Sequence, residues 1–402
     1  MSLMRRRHRA ALAAGVVAAA LALTATACGP GEDEAGSGGK EDNQPVEESP
    51  DSQDDRLDDL LNALPIDIDV DKWKDGEWRN WDKDQWLREA GEYIGIIIED
   101  FWDADRMRDA LDMDRGVDEG EIEDVEPGEE EPPADNPDDD RGVTDPDPLP
   151  VDAVAEPAPY TENYPAVGKI FMETPEGTMV CSGAVVKDPD NPGASNLVAT
   201  AGHCVHAGSE GGWFRNVAFV PAYNPSGVPL EESINLPFEE IAPLGIWWAE
   251  YVGTTDYWVQ NGTAVGGDGA HQDFAVMKVA PEDGGSQSLE ELTGAAYEID
   301  FDAPAVSQLN EFKVIGYPAA EPFDGEQMYS CTDQPTRLSL DASQPVMYRV
   351  GCTMTAGSSG GPWIHDDTLI SVTSIGPYDS TWLAGPRLEA ECAEVFDLVR
   401  TS

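Results

Sequence analysis

Between about Tyr160 and Ser402 the apolar residues come in short runs. Ala166–Met172, Met179–Val186, Asn196–Thr200, Val217–Pro221, Phe274–Val279, Phe312–Tyr317, Met347–Val350 and Leu369–Ser374 are each bounded by turn-forming residues. Runs of this length fit strands, because a buried helix needs roughly ten or more residues to cover the same core. Only Leu388 to Val399 has the texture of a helix, at the very end. The pattern predicts an all-β domain over 160–402 with one closing C-terminal helix. The 39 glycines and 31 prolines supply the turns that so many short strands need. No internal repeat of fixed period is evident.

The first 159 residues have other textures. Arg5, Arg6, Arg7 and Arg9 precede an apolar run from Ala10 to Leu23 that is too short to span a bilayer comfortably. Ala25-Thr26-Ala27 then reads as a small-residue cleavage site, so 1–27 is expected to be an export signal. Cys28 follows directly, which resembles a bacterial lipoprotein signal with the lipid carried on the new N-terminal Cys; Ala25 stands where that signal has Leu. The alternative is an ordinary signal cut at the same bond. Residues 28–56 have too little apolar content to offset chain entropy and are expected to be a disordered tether.

Over 57–114 four Trp residues appear: Trp73, Trp78, Trp81 and Trp86. Trp86, Ala90, Tyr93, Ile94, Ile97, Phe101, Ala104 and Leu111 then fall at helical spacings along one face. This segment is either a small pro-segment or docking element, or a helix that merely packs on its neighbour. Residues 115–159 are rich in Asp, Glu, Pro and Gly and predict an extended acidic linker.

The formal net charge is −55, from 79 acidic and 24 basic residues. Such a chain repels phosphates, which argues against nucleic acid and anionic lipid as partners. Membrane association is expected only through a lipid on Cys28. Six cysteines, Cys28, Cys181, Cys204, Cys331, Cys352 and Cys392, suit an oxidising compartment. With Cys28 lipidated, one thiol is left over, and Cys392 is the candidate; without lipid, a Cys28–Cys392 bridge is available.

Three local sequences carry chemistry. Ala199-Thr200-Ala201-Gly202-His203-Cys204 follows a short strand. Asp273-Phe274-Ala275-Val276 opens one. Gly357-Ser358-Ser359-Gly360-Gly361-Pro362 forms a tight glycine turn. A serine hydroxyl needs a base to take its proton as it attacks a carbonyl, and an imidazole titrates in the right range. A carboxylate on the imidazole's other nitrogen fixes its tautomer and stabilises its charged form. The glycine turn lets the N–H groups of Gly357 and Ser359 converge on the developing oxyanion. Taken singly, each motif has a structural explanation: a Gly-rich loop, a structural His, an Asp cap. His206 and His271 lie near His203 but match no common zinc spacing. The chemistry calls for neither metal nor cofactor.

Together and in the order His, Asp, Ser, these motifs resemble the trypsin/chymotrypsin superfamily, and within it the bacterial secreted trypsin-like and V8-like peptidases. The resemblance covers about Tyr160 to Ser402. It implies two six-stranded antiparallel β-barrels with the site between them, and a monomeric endopeptidase acting on protein or peptide through His203, Asp273 and Ser359. It implies disulfides Cys181–Cys204 and Cys331–Cys352. It places Thr353 and Met354 at the base of the pocket for the residue before the cut, and Thr373, Ser374, Ile375 and Gly376 on its wall. None of these is acidic, so a small or medium apolar residue is expected there rather than Lys or Arg. Thr373 stands where glutamate-specific relatives carry a His, which argues against Glu. The backbone of Ser374–Gly376 is expected to pair with an extended substrate. The family's mature end begins near Tyr164–Gly168. Two alternatives stand: an acidic surface lipoprotein that binds a cationic partner with an inactive protease fold, and an esterase using the same triad.

Overall fold

In a computed structural model of the chain, residues 101–112, 115–118, 122 and 141–402 are described. The expectations for the export signal, Cys28 and the tether fall outside the described residues, as does most of the Trp-rich segment. Three short strands precede the main body: β1 (Leu111–Asp112), β2 (Gly116–Val117) and β3 (Val154–Ala155). Six strands then form the first barrel. They are β4 (Val167–Thr174), β5 (Gly177–Val186), β6 (Leu197–Thr200), β7 (Arg215–Pro221), β8 (Trp247–Thr254) and β9 (Ala275–Pro281). Their order is β5-β4-β7-β8-β9-β6, and β6 pairs back onto β5, so the ring closes and no edge is left over. Every pairing in the ring is antiparallel.

Alternation along β4 explains why all eight of its residues are buried. Ile170 and Met172 point into the barrel with Val198, Phe219 and Met277. Val167 and Phe171 point outward into a second core with Phe101, Trp102, Met107 and Trp248. An outward face of a barrel normally meets water. Here the N-terminal segment covers it, and Trp102 is 1% exposed with its Nε1–H donating to Asn216 O at 2.9 Å.

The second half begins with β10 (Glu298–Ile299) and continues through β11 (Phe312–Gly316), β12 (Tyr329–Asp333), β13 (Thr336–Leu338), β14 (Met347–Gly351), β15 (Pro362–His365), β16 (Thr368–Val372), β17 (Gly376–Pro377) and β18 (Trp382–Gly385). They make two sheets, β10-β16-β15-β11-β12-β3 and β13-β14-β18, that share a core of Phe312, Val314, Tyr348, Trp363 and Leu383. Ser374 and Ile375 bond to Ala384 and join the two sheets beside the cleft. Hydrogen-bonded closure into a full ring is seen in the first half. The closing helix, Ala390–Arg400, lays Val395, Phe396 and Val399 against the first barrel's core. One closed antiparallel barrel, a second half of two packed sheets in place of the expected second six-stranded ring, and a C-terminal helix make a chymotrypsin-like architecture.

Two stretches differ from what the sequence predicts. Of the helical spacing that runs to Leu111, the described residues form a helix over Ala104–Arg108, capped by the Asp103 side chain. Leu111 lies in β1 and is 58% exposed, because the chain leaves the helix to bond along β5 at Met179 and Val180. The acidic linker, from residue 141 on, is not a free spacer but is seated on the second half. Its charges explain the seating. Asp145 makes a two-oxygen contact with Arg337, and Asp147 meets Arg349 at 2.5 Å, whose side chain is fully buried. Lys313 pairs with Glu156 at 2.7 Å, and Ser330 bonds the same carboxylate. β3 then adds to the edge of β12. The net acidity of this stretch hid the basic sockets that receive it.

Candidate active site

His203 sits on a single turn of 3-10 helix, Gly202–Cys204, that ends β6. Gly202 is required there: a Cβ would come within 3.0 Å of Asp273 Oδ1 and 2.6 Å of Thr254 Oγ1. Asp273 closes the turn before β9 and is fully buried. Its Oδ1 accepts from the His203 amide at 2.8 Å, and its Oδ2 lies 2.7 Å from His203 Nδ1. That contact makes Nδ1 the protonated nitrogen and leaves Nε2 with its lone pair, the form a general base needs. His203 Nε2 is buried and has no hydrogen-bond partner, so the Ser359 hydroxyl does not bond to it in this structure.

The glycine turn packs directly against the His203 strand. The Ser182 amide donates to Ser359 O at 2.7 Å, and a Cβ on Gly360 would lie 2.0 Å from Thr200 Oγ1. Gly357 has φ +94, a left-handed backbone, and its carbonyl accepts from Ser182 Oγ at 2.9 Å. That turns the carbonyl toward the protein. Among the described residues the amides of Gly357 and Ser359 donate to nothing, which leaves both able to receive an oxyanion.

Asp273 carries more partners than the sequence suggests. Ser374 Oγ donates to Oδ2 at 2.5 Å, and Arg115 Nη1 approaches the same oxygen at 3.1 Å. Burial alone would push the Asp273 carboxyl up; His203, Arg115 and Ser374 together overcome it and hold the carboxyl below its usual value. Arg115 was missed by sequence reasoning, as was Ser374's contact with the carboxylate. The only sequence cue to Arg115 is a basic residue followed by Gly and Val in an acidic stretch. The tetrapeptide Asp114-Arg115-Gly116-Val117 recurs at Asp140–Val143, where Arg141 donates to Ser343 O at the surface instead.

Beside Ser359 lies a cleft of about 370 Å³, lined among others by Arg115, Met354, Thr373, Ser374, Ile375 and Gly376. Met354 is buried, and among the described residues no acidic side chain lines the space. Thr353 turns elsewhere: its hydroxyl accepts from the Ala153 amide and its own amide donates to Val151 O. Thr373 Oγ1 is engaged as acceptor to Trp363 Nε1 at 3.0 Å.

Cys181–Cys204 and Cys331–Cys352 are disulfide-bonded. The first ties β5 to the turn that holds His203. Each closes a loop of about 20 residues, worth roughly 3 kcal/mol through loop-closure entropy. The one grouping of metal-donor atoms among the described residues is Cys181, His203 and Cys204. Its two sulfurs are bonded to each other and have no thiolate to offer. Cys392 is a free, buried thiol.

No protein-family model matches the sequence, and no curated protein matches it. Solved structures do. The protease Anisep from Arthrobacter nicotinovorans is 28% identical with a TM-score of 0.50, over 62% of this chain and 100% of that one. The thermostable serine protease AL20 from an extremophilic microorganism is 28% identical with a TM-score of 0.48, over 60% and 99%. A Glu endopeptidase is 15% identical with a TM-score of 0.44, over 65% and 100%. Of these three, the Anisep match is the one strong enough to carry a shared fold. The chain has the trypsin/chymotrypsin-like serine protease fold, and that fold implies peptide substrates.

Proposed function

We propose that this chain is an exported serine endopeptidase in which Ser359 attacks, His203 is the base and Asp273 orients it. The observation that carries the proposal is the His203–Asp273 contact, with the acceptor nitrogen of His203 left unpartnered beside the Ser359 turn. In the reaction Ser359 Oγ adds to the peptide carbonyl as His203 Nε2 takes its proton. The oxyanion is held by the Gly357 and Ser359 amides. His203 then returns the proton to the leaving amine, and water repeats the sequence on the acyl-enzyme.

The absence of an acidic side chain among the described residues of the cleft, and its Met354, Ile375 and Leu383 lining, support a small or medium apolar residue before the cut, with the Ser374–Gly376 backbone pairing to the substrate. Two disulfides support an extracytoplasmic location, and a lipid on Cys28 would hold the chain at the membrane. Among the described residues no helix is long and apolar enough to cross a membrane.

A fluorophosphonate probe is expected to label Ser359 and no other residue, with Ser359→Ala unlabelled. On an apolar peptide substrate, Ser359→Ala and His203→Ala are expected to lower kcat by about four to six orders of magnitude. Labelling that persists in Ser359→Ala would sink the assignment. Parallel panels of peptides and esters separate an endopeptidase from an esterase.

A further inference from the structure

The cleft is not empty of its own chain. β2 pairs in parallel with β17, Gly116 opposite Gly376 and Val117 opposite Pro377. Its other side is held by the loop between β8 and β9, where the Gly266 amide donates to Gly116 O at 3.0 Å. Arg115 is 4% exposed and enters a cradle made for a guanidinium. Its Nε donates to Thr263 O at 3.1 Å, its Nη2 to Asp268 O, and its Nη1 to Asp273 and to Ser374 Oγ, both at 3.1 Å. The Trp258 ring lies 4.6 Å from its Cζ, so one face of the cation is covered by an aromatic. Val117 is 1% exposed in a small core with Ala270, Ile375 and Trp382. Residues 115–117 therefore bridge both barrels across the substrate edge.

Chain direction decides what this occupant is. Ser374 touches Asp273, whereas Gly376 and Pro377 lie farther along the edge. A peptide that brings a carbonyl to Ser359 on its C-terminal side must run from Pro377 toward Ser374, antiparallel to that edge. Residues 115–117 run the opposite way. They fill the edge without presenting a carbonyl in the order attack requires. The charge of Arg115 adds to this. The Asp273 carboxylate must stabilise the imidazolium that forms in the transition state, and a guanidinium on the same oxygen offsets part of that help.

We propose that Arg115-Gly116-Val117 is an intramolecular inhibitor bound in reverse along the acyl-side substrate edge, with the Trp258–Thr263–Asp268–Asp273–Ser374 cradle as the guanidinium site that anchors it. The proposal rests on the serine-protease function above. Substrate meets only the fraction of molecules whose edge is vacant, so apparent activity is divided by the docking equilibrium.

The test compares the full chain with Arg115→Ala and, independently, Val117→Asp, each checked by thermal melting. Both are expected to speed fluorophosphonate labelling of Ser359 and raise kcat/KM by about tenfold or more, with Arg115→Lys in between. A synthetic peptide of residues 111–118 added to Arg115→Ala is expected to inhibit competitively, and the same peptide with Ala in place of Arg115 is expected not to. Folded variants labelled at the wild-type rate or slower would overturn the inhibitor while leaving the protease intact. Absence of labelling in the wild type and both folded variants would overturn the protease function and the inhibitor with it.

Discussion

Four donors converge on the Asp273 carboxylate: the His203 amide and ring, Ser374 and Arg115. A buried carboxylate without such partners would take up a proton, and a protonated Asp could not hold the imidazole in its working tautomer. Asp273→Asn keeps the shape but reverses the hydrogen bond, so kcat is expected to fall about 10⁴-fold with folding retained, as stopped assays and melting curves would show. Cys392 shows the opposite use of burial. It is enclosed beside Gln272, and burial pushes its thiol up to about 12. Since the thiolate is the reactive form, iodoacetamide at pH 8 is expected to leave Cys392 unmodified in the native protein and to alkylate it once urea unfolds the chain. Modification of the folded protein within minutes would contradict this placement.

At the scale of elements, the turn before β9 is tied down by a histidine. His271 donates from Nδ1 to Pro345 O at 2.6 Å, and its Nε2 accepts from the amides of Leu340 and Asp341, both at 2.9 Å. The ring is thus neutral, and burial lowers its pKa to about 4; burial lowers His206 to about 4 as well. In the unfolded chain both titrate near 6.5. The unfolded state therefore binds more protons as pH falls through 6.5, and stability drops between there and about pH 4. From pH 7 to pH 5 the loss is expected to be about 2 kcal/mol for each ring. Urea titrations at the two pH values measure it, and His271→Gln is expected to remove about half of the change.

The short strands of 160–402, the three motifs and the closing helix were legible because they depend on local alternation and on residue types that chemistry requires in a fixed order. The N-terminal segment was not. Phe101 belongs to the helical spacing and packs in the core outside β4, as a helix docked on its neighbour would, but no local pattern names β4 as the partner. Arg115 and Arg141 share the same four-residue context, and only the tertiary socket distinguishes them. The resemblance puts Thr353 at the pocket base, but residues 151–153, which engage its hydroxyl and amide, have the composition of linker.

Across the whole molecule, the boundary suggested by composition at residue 160 cuts through a packed body. Arg349 is fully buried and depends on Asp147 and on the Asp145 carbonyl. Removing residues through 159 would strand that charge, at a cost of about 3 to 5 kcal/mol, and strip β3 from the edge of β12. A fragment of residues 141–402 is accordingly expected to be the more stable in denaturant, and 160–402 to melt markedly lower or fail to accumulate. Equal melting of the two would show that the seated stretch carries no structural weight.

Three residues separate Asp112, stitched to β5, from Gly116 in the cleft. If the blocking strand lifts away while β1 stays put, it remains on a leash of at most about 13 Å, at an effective concentration in the millimolar range. Any outside peptide must outbid a rival that cannot diffuse off. Crowding the enzyme with substrate would then raise the turnover of each molecule gradually, whereas severing the leash would do so once and for good.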